Sequence, residues 1–414
     1  MAEPIDVTGT RAGGRGATSA TTADAMGGST TGTSPVRRSV EVEYWVIDEE
    51  GDLTAPGELL DAAPGVEPEF VEPLIEIKTT PCETTAALRR ELFDRLDRVV
   101  RRADERDKAL VPLATPLWTG PIADRDHDRI RIQDRVVGDR FDCVRRCAGT
   151  HVHVEQQPGH EIDQLNLLTA LDPALALVNS SPYHGHVRVA AGARSLLYRW
   201  RAYDHLPHQG ELWRYADTTE EWARRLERRY EEFLTEAVMA GFDRETVESC
   251  FDPEGAAWTP VKLRGAFSTV EWRSPDTALP SQVVRLADDV VGAVERLVRP
   301  ASDPDVRIED ASRENRSDRE SPENGHGGVG DGVVIPEFDT VRELVDDAVR
   351  EGLSSPAVRS YLERMGFDVD AYDPLTEEFH HGRELTAAEA RRIRLEYAER
   401  LKRDVQRRQP VPAD

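Results

Sequence analysis

Three short stretches each set two ionisable side chains two residues apart: Glu41-Val42-Glu43, His151-Val152-His153 and Glu271-Trp272-Arg273. In a strand, residues i and i+2 share a face. Each pair therefore projects from one side of a sheet, while the apolar residue between its members faces the other way. Leu74-Ile75-Glu76-Ile77-Lys78 repeats the pattern, with Glu76 and Lys78 on one face and Ile75 and Ile77 on the other. A single pair of this kind reads as a solvated strand. Four segments mixing Glu, His, Lys and Arg describe a concave sheet face that holds metal ions and anions.

The chain of 414 residues is long enough for a large core, and its formal charge of -25 argues against nucleic acid or an anionic membrane as a partner, since both need a basic footprint. Only Lys78, Lys108, Lys262 and Lys402 are lysine; the other basic residues are arginine. Acidic, lysine-poor surfaces suit concentrated salt, where the screening length shrinks to roughly 3 Å at 1 M. A halophilic cytoplasm is the expectation, with a plain acidic protein as the alternative. Cys82, Cys143, Cys147 and Cys250 are too few for a disulfide scaffold. No secretory segment or apolar run of membrane-spanning length is evident, which points to an intracellular protein with reduced thiols.

Residues 1–36, rich in Gly, Thr, Ala and Ser, read as a disordered tail. Strands are expected from about Arg38, from Phe70 to Thr79, around His151 and from Phe267 to Arg273. Leu88, Leu92, Leu96, Val99 and Ala103 define one side of a helix from about Thr84 to Lys108. Further helices are expected over Ile162 to Leu171, from Asp172-Pro173 onward, around Trp222 to Ala237 with a stop at Gly241, and from Pro280 to Val298. From Ala301 the composition becomes polar, predicting an acidic linker over 301–335 and a small helical module over 336–414. A chain spanning about Pro35 to Pro300 is then expected to suffice for the chemistry.

Carboxylate oxygens combined with imidazole nitrogen suit Mg²⁺ or Mn²⁺. Glu41, Glu43, Glu76, His151 and Glu271 could hold two or three such ions, which bridge the β- and γ-phosphates of ATP. His153 is either a further ligand or a hydrogen-bonded structural histidine. Arg273, on the face of Glu271, is placed to hold a transferring phosphoryl group. The run Cys143, Cys147, His151, His153 also reads as C-x3-C-x3-H-x-H, a zinc alternative, although structural zinc sites space their histidines more widely.

Taken in order, Val40-Glu41-Val42-Glu43-Tyr44, Leu74-Ile75-Glu76-Ile77-Lys78-Thr79, Gly149-Thr150-His151-Val152-His153-Val154, Asn179-Ser180-Ser181-Pro182-Tyr183 and Val270-Glu271-Trp272-Arg273-Ser274-Pro275-Asp276 resemble the motifs of the type 2 glutamate-cysteine ligases, above all the haloarchaeal members. The resemblance covers about Arg38 to Arg299. It implies an α+β, glutamine-synthetase-like fold: a curved, mostly antiparallel sheet with flanking helices. It also implies ATP-dependent ligation of glutamate to cysteine in thiol metabolism, with Mg²⁺ or Mn²⁺ as cofactor and ATP, glutamate and cysteine as the small-molecule partners.

Carried over by position, Glu41, Glu43, Glu76, His151 and Glu271 match metal ligands, with His153 beside them, and Arg273 matches a phosphate-contacting arginine. Arg194 or Arg199 matches an arginine after the Ser-Ser-Pro motif, and Lys262 or Arg264 adds an anion contact. Lys78, Asn179 and Ser180 complete the expected substrate contacts. Another acceptor amine, or a non-catalytic metal- or nucleotide-binding relative, would carry nearly the same motifs, and a homodimer is an open arrangement. This chain departs from the family's pattern at Glu155, where glycine is usual, and over His184-Gly185-His186-Val187-Arg188.

Overall fold

Strand β1 (Arg38–Asp48) alternates as its sequence dictates: Val40, Val42 and Tyr44 are buried, while Glu41 and Glu43 stand half-buried on the other face. The computed structural model describes residues 35–298, 307–308 and 334–407, apart from residues 119, 126, 204 and 381. The tail expected over 1–36 and the linker expected over 301–335 lie almost wholly outside the described residues.

β1 is central to a seven-stranded sheet that also contains β2 (Val66–Pro68), β3 (Leu74–Lys78), β4 (Lys108–Val111) and β5 (Thr150–Glu155). A separate small hairpin, β6 (Tyr183–His184) and β7 (Val187–Arg188), precedes the last two strands of the sheet, β8 (Val261–Arg264) and β9 (Thr269–Trp272). The order is β2-β3-β1-β5-β9-β8, with β4 pairing the far half of β1, and every pairing in the sheet is antiparallel.

The apolar face of this sheet is covered by helices. Thr84 caps the helix Thr85–Asp104 by accepting from Ala87 N at 3.1 Å. That helix buries the expected Leu88, Leu92, Leu96, Val99 and Ala103 stripe, and Pro280–Val298 buries Val283, Leu286, Val290, Val294 and Leu297. Both join Val40, Val42, Ile75, Ile77, Val152, Val154, Val270 and Trp272 in one core. At roughly 1.5–3 kcal/mol per buried apolar side chain, this face sets which way each strand points. The ionisable face stays open around Glu41 and Glu43; farther along β1 it is covered, with Trp45 and Ile47 in a second core that includes Ile393 and Tyr397.

Three local expectations change. The second strand starts at Leu74 rather than Phe70, because the chain turns before it, with Leu74 N donating to Val71 O at 3.3 Å. Asp172-Pro173 opens a buried 3₁₀ segment, Asp172–Val178, rather than an α-helix. Asp172 does not cap it: its carboxylate accepts from Trp272 Nε1 at 2.8 Å and from Ser274 Oγ at 2.5 Å. Phe267 lies in the turn between β8 and β9, outside the strand assigned to it. The helix Thr219–Met239 does end as expected, with Gly241 at φ 93° and Phe242 N donating to Ala237 O at 3.0 Å.

The C-terminal segment is helical, as expected, but it is not set apart. Val341, Val345 and Val349 of the helix Phe338–Arg350, and Leu401 of the helix Ala387–Gln406, lie in the same core as the sheet. Tyr361 Oη donates to Ala170 O at 2.8 Å, and Asn179 Nδ2 donates to Ala348 O at 3.2 Å. Arg394 is wholly buried and donates to the carbonyls of Gly51, Pro116 and Leu117. A polar connection marked a boundary in composition, yet each apolar stripe beyond it needs a surface to cover. The sheet domain supplies that surface. Among the described residues no helix is long and apolar enough to cross a membrane.

A chain ended at Pro300 is therefore expected to lose cooperative unfolding, since it strips these helices from the shared core and leaves the carbonyls held by Arg394 without donors. A truncated chain whose urea transition is as sharp as that of the full chain would show that the C-terminal helices are dispensable.

Candidate active site

Antiparallel register brings the paired residues into rows. Glu41 sits opposite Lys78 on one side and His151 on the other, and Glu43 sits opposite Glu76. His153 sits opposite Glu271, which in turn faces Lys262. Directly opposed residues share a face, so residues distant in sequence gather on one open surface. Its members other than His153 and Glu271 line a cavity of about 370 Å³.

The cavity has an acidic side and a basic side. On the acidic side, His151 Nδ1 donates to Glu41 Oε2 at 3.0 Å, and His153 Nε2 lies 3.7 Å from Glu41 Oε1 and 3.9 Å from Glu271 Oε1. Burial opposes ionisation of Glu41, but the His151 hydrogen bond and the charge of the His151 and His153 imidazoles outweigh it and hold the carboxyl well below its usual range. Burial and the Arg273 charge push His151 down to about 4. Glu43 Oε2 accepts from Gly149 N at 2.6 Å. Glu69, in the turn before β3, joins Glu43 and Glu76, their ligand atoms all within 4.8 Å of one another. Burial and mutual repulsion raise Glu43, push Glu69 up to about 8 and push Glu76 up to about 9. Lys78 Nζ approaches Glu76 Oε2 at 2.8 Å, but it is shared with Glu67 at 2.9 Å and does not offset that crowding.

On the basic side stand Arg129, Lys262, Arg264 and Arg273. Glu271, with no exposure to water, is held between two guanidiniums: Arg273 Nη1 on one oxygen and Arg264 Nη1 at 2.7 Å on the other. Burial works against its ionisation, yet the charges of Arg273 and Lys262 keep it well below the ordinary range. Lys262 Nζ donates only to backbone carbonyls, at 3.0 Å to Glu254 and 3.5 Å to Ala257, and burial with the Arg273 charge pushes it down to about 7.

A divalent cation fits the acidic side. His153 Nε2 is buried without a hydrogen-bond partner and faces carboxylate oxygens, while its Nδ1 lies 3.2 Å from Thr269 Oγ1. Three groupings place ligand atoms together: Glu41, His153 and Glu271; Glu41, Glu76 and His151; Glu43, Glu69 and Glu76. Oxygen-rich sets with a minority of imidazole favour Mg²⁺ or Mn²⁺ over zinc. The zinc alternative fails, because among the described residues none of these groupings contains Cys143 or Cys147. Cys147 Sγ instead donates to Cys143 O at 3.3 Å.

Not every expected residue reaches the cavity. Arg194 is buried and donates to the carbonyls of Arg273, Ser274 and Pro275, so it braces the segment after β9. Arg199 donates to Asp172 Oδ2 at 2.7 Å and to Ser274 Oγ at 2.9 Å. Both border a small adjoining pocket that also touches Arg273. Asn179 and Ser180 lie outside both linings; Ser180 Oγ accepts from Ala114 N at 2.8 Å, and Ser180 N donates to Asp276 Oδ2 at 2.9 Å. The unusual Glu155 turns away to pair with Arg37. Two lining residues, Glu69 and Arg129, carry no signal in the strand-alternation pattern: Glu69 precedes the strand in a turn, and Arg129 lies in the first turn of the helix Asp128–Val136.

Comparison with known proteins bears on this geometry. A family model described as glutamate-cysteine ligase family 2 matches residues 40–324. A curated protein of Rhodococcus jostii, "Putative glutamate--cysteine ligase 2-1", is 32% identical over 181 residues, 41% of this chain and 48% of that protein. The match thus spans about half the length of that relative. A glutamate-cysteine ligase from Francisella tularensis, solved in complex with AMP, superposes with a TM-score of 0.54 at 10% identity, covering 92% of this chain and 91% of the other. At that identity the likeness shows a shared fold.

Glu41→Gln is expected to weaken Mn²⁺ binding about tenfold or more by calorimetry, with Glu155→Gln, on its surface pair, as the unaffected control. Equal affinity in Glu41→Gln and the wild type would remove Glu41 from the ligands. Asp276 gives a second expectation, since burial pushes its carboxyl up to about 7. A folded pKa above the unfolded value near 3.9 stabilises the fold at low pH, and that contribution fades as pH rises from about 4 to about 7. Relative to the wild type, Asp276→Asn should therefore gain stability across that window, on the order of 4 kcal/mol in urea unfolding. A constant difference between the two would refute the buried neutral carboxyl.

Proposed function

The chain belongs to glutamate-cysteine ligase family 2, and from that membership we propose that it is an ATP-dependent carboxylate-amine ligase joining the γ-carboxylate of glutamate to the amine of cysteine. The products are γ-glutamylcysteine, ADP and phosphate. The observation that carries this reading is the two-sided cavity, in which the carboxylates of Glu41, Glu43, Glu69 and Glu76 and the His151 imidazole face Arg273, Lys262 and Arg264 across one space. Phosphoryl transfer between two anions asks for that combination.

In the first step a γ-carboxylate oxygen of glutamate attacks the terminal phosphorus, and the bridging oxygen leaves with ADP. In the second, the cysteine nitrogen attacks the acyl carbon and phosphate leaves with one of the former carboxylate oxygens. Arg273 is oriented by its bond to Glu271 and braced from behind by Arg194, and it meets the equatorial oxygens of the transferring group. Lys262, bonded only to carbonyls, takes its charged form when an anion enters. Bound Mg²⁺ or Mn²⁺ would offset the repulsion between carboxylate and triphosphate. Glu41, Glu43, Glu69, Glu76, His151, His153 and Glu271 are the residues that would hold it.

The full chain with Mg²⁺ is expected to release ADP only when glutamate and an acceptor amine are both present, with cysteine the best acceptor in a screen of amino-acid pairs. Glutamate-dependent release with another amine would reassign the acceptor, and no release with any pair would leave a binding protein. Arg273→Lys should lower kcat on the order of 10²-fold or more, because lysine keeps the charge and loses the planar fork. An unchanged kcat with a raised KM for ATP would make Arg273 a ground-state contact.

A further inference from the structure

The turn joining β8 to β9 holds a large apolar ring in the open. Phe267 is 62% exposed and lines the rim of the cavity. An isolated exposed phenylalanine needs no explanation, but the turn here is built to hold this one. Ser268 takes a left-handed backbone, φ 51°, a conformation that costs a residue with a Cβ and persists only where its surroundings impose it. The end of β5 imposes it: Gln156 N donates to Ser268 O at 2.8 Å, and Gln156 Nε2 donates to Thr269 O at 2.9 Å.

The ring is flanked on two sides. The Arg264 guanidinium lies over it, 5.0 Å from its centre, and the His153 ring meets it edge-on at 6.3 Å. These same two residues reach the catalytic cluster, Arg264 through Glu271 and His153 through the unpartnered Nε2. Phe267 therefore marks the outer end of a line that runs along β8 and β9 from Arg273. At about 3.4 Å per residue, the four-residue rise from Arg273 to Thr269 is about 14 Å. That is the scale separating the terminal phosphate of an extended nucleotide from its base.

We propose that Phe267 is the stacking platform for the purine base of the nucleotide, with Arg264 ordering the ring from its other side. The inference rests on the ATP-dependent reading above. A purine on the exposed face buries apolar surface that the fold leaves in water, and stacking discriminates little among bases because each offers a π-face. The triphosphate then runs inward along the basic side to Arg273.

The test compares two probes, ADP and inorganic tripolyphosphate, binding to the full-length chain in the presence of Mg²⁺ by calorimetry. Phe267→Ala is expected to weaken ADP about tenfold while leaving tripolyphosphate within about twofold, and Phe267→Trp is expected to restore ADP affinity. ADP binding to Phe267→Ala within twofold of wild type would overturn the platform while leaving the ligase reading in place. Parallel losses for both probes would overturn it too, showing that the substitution acts through Arg264. A wild-type chain that binds neither probe would sink the nucleotide reading itself.

Discussion

A carboxylate with no access to water lies at the junction of the two sides of the cavity. Glu271 bridges Arg264 and Arg273, stands opposite His153 and Lys262 in the sheet, and is buried from its other face by the core. Removing one partner from such a buried network costs about 3–5 kcal/mol, because an uncompensated charge remains. That cost fixes β5, β8 and β9 in one register. It also aims Arg273, whose free donors are useful only if the guanidinium does not move.

The rest of the molecule serves that arrangement. An antiparallel sheet can carry helices on one face and polar side chains on the other, and here the second face gathers carboxylates on β1 and β3 and cations on β8 and just past β9. Its far end at Trp45 and Ile47 is covered by a second core that includes Ile393 and Tyr397. The rear is stiffened by Asp172, which ties Trp272, Ser274 and Arg199 together beneath the strand that carries Glu271. Arg194 fixes the backbone just beyond it. The C-terminal helices close the same core from outside, so the open face is a property of the whole fold rather than of the motif-bearing segment.

Much of this was legible in the sequence because strand alternation is a local rule. Glu41 and Glu43, Glu76 and Lys78, His151 and His153, and Glu271 and Arg273 announce a shared face by their spacing alone. Glu69 was not legible: it sits in a turn, and what carries it to Glu43 and Glu76 is the path of the chain between β2 and β3. Arg194 misled for the opposite reason, since nothing local tells whether a guanidinium will meet a ligand or backbone carbonyls. The polar stretch before the helices beyond Pro336 suggests a separate module, whereas an apolar stripe specifies that it must be covered and not by what.

Phosphoryl transfer to a carboxylate would move one of its oxygens into the phosphate released, and oxygen isotopes test that most directly. Glutamate labelled with ¹⁸O in its γ-carboxylate, turned over with unlabelled ATP and cysteine, is expected to pass one labelled oxygen into each phosphate released, read by mass spectrometry. Phosphate carrying no label, or carrying oxygen from labelled water instead, would contradict the account.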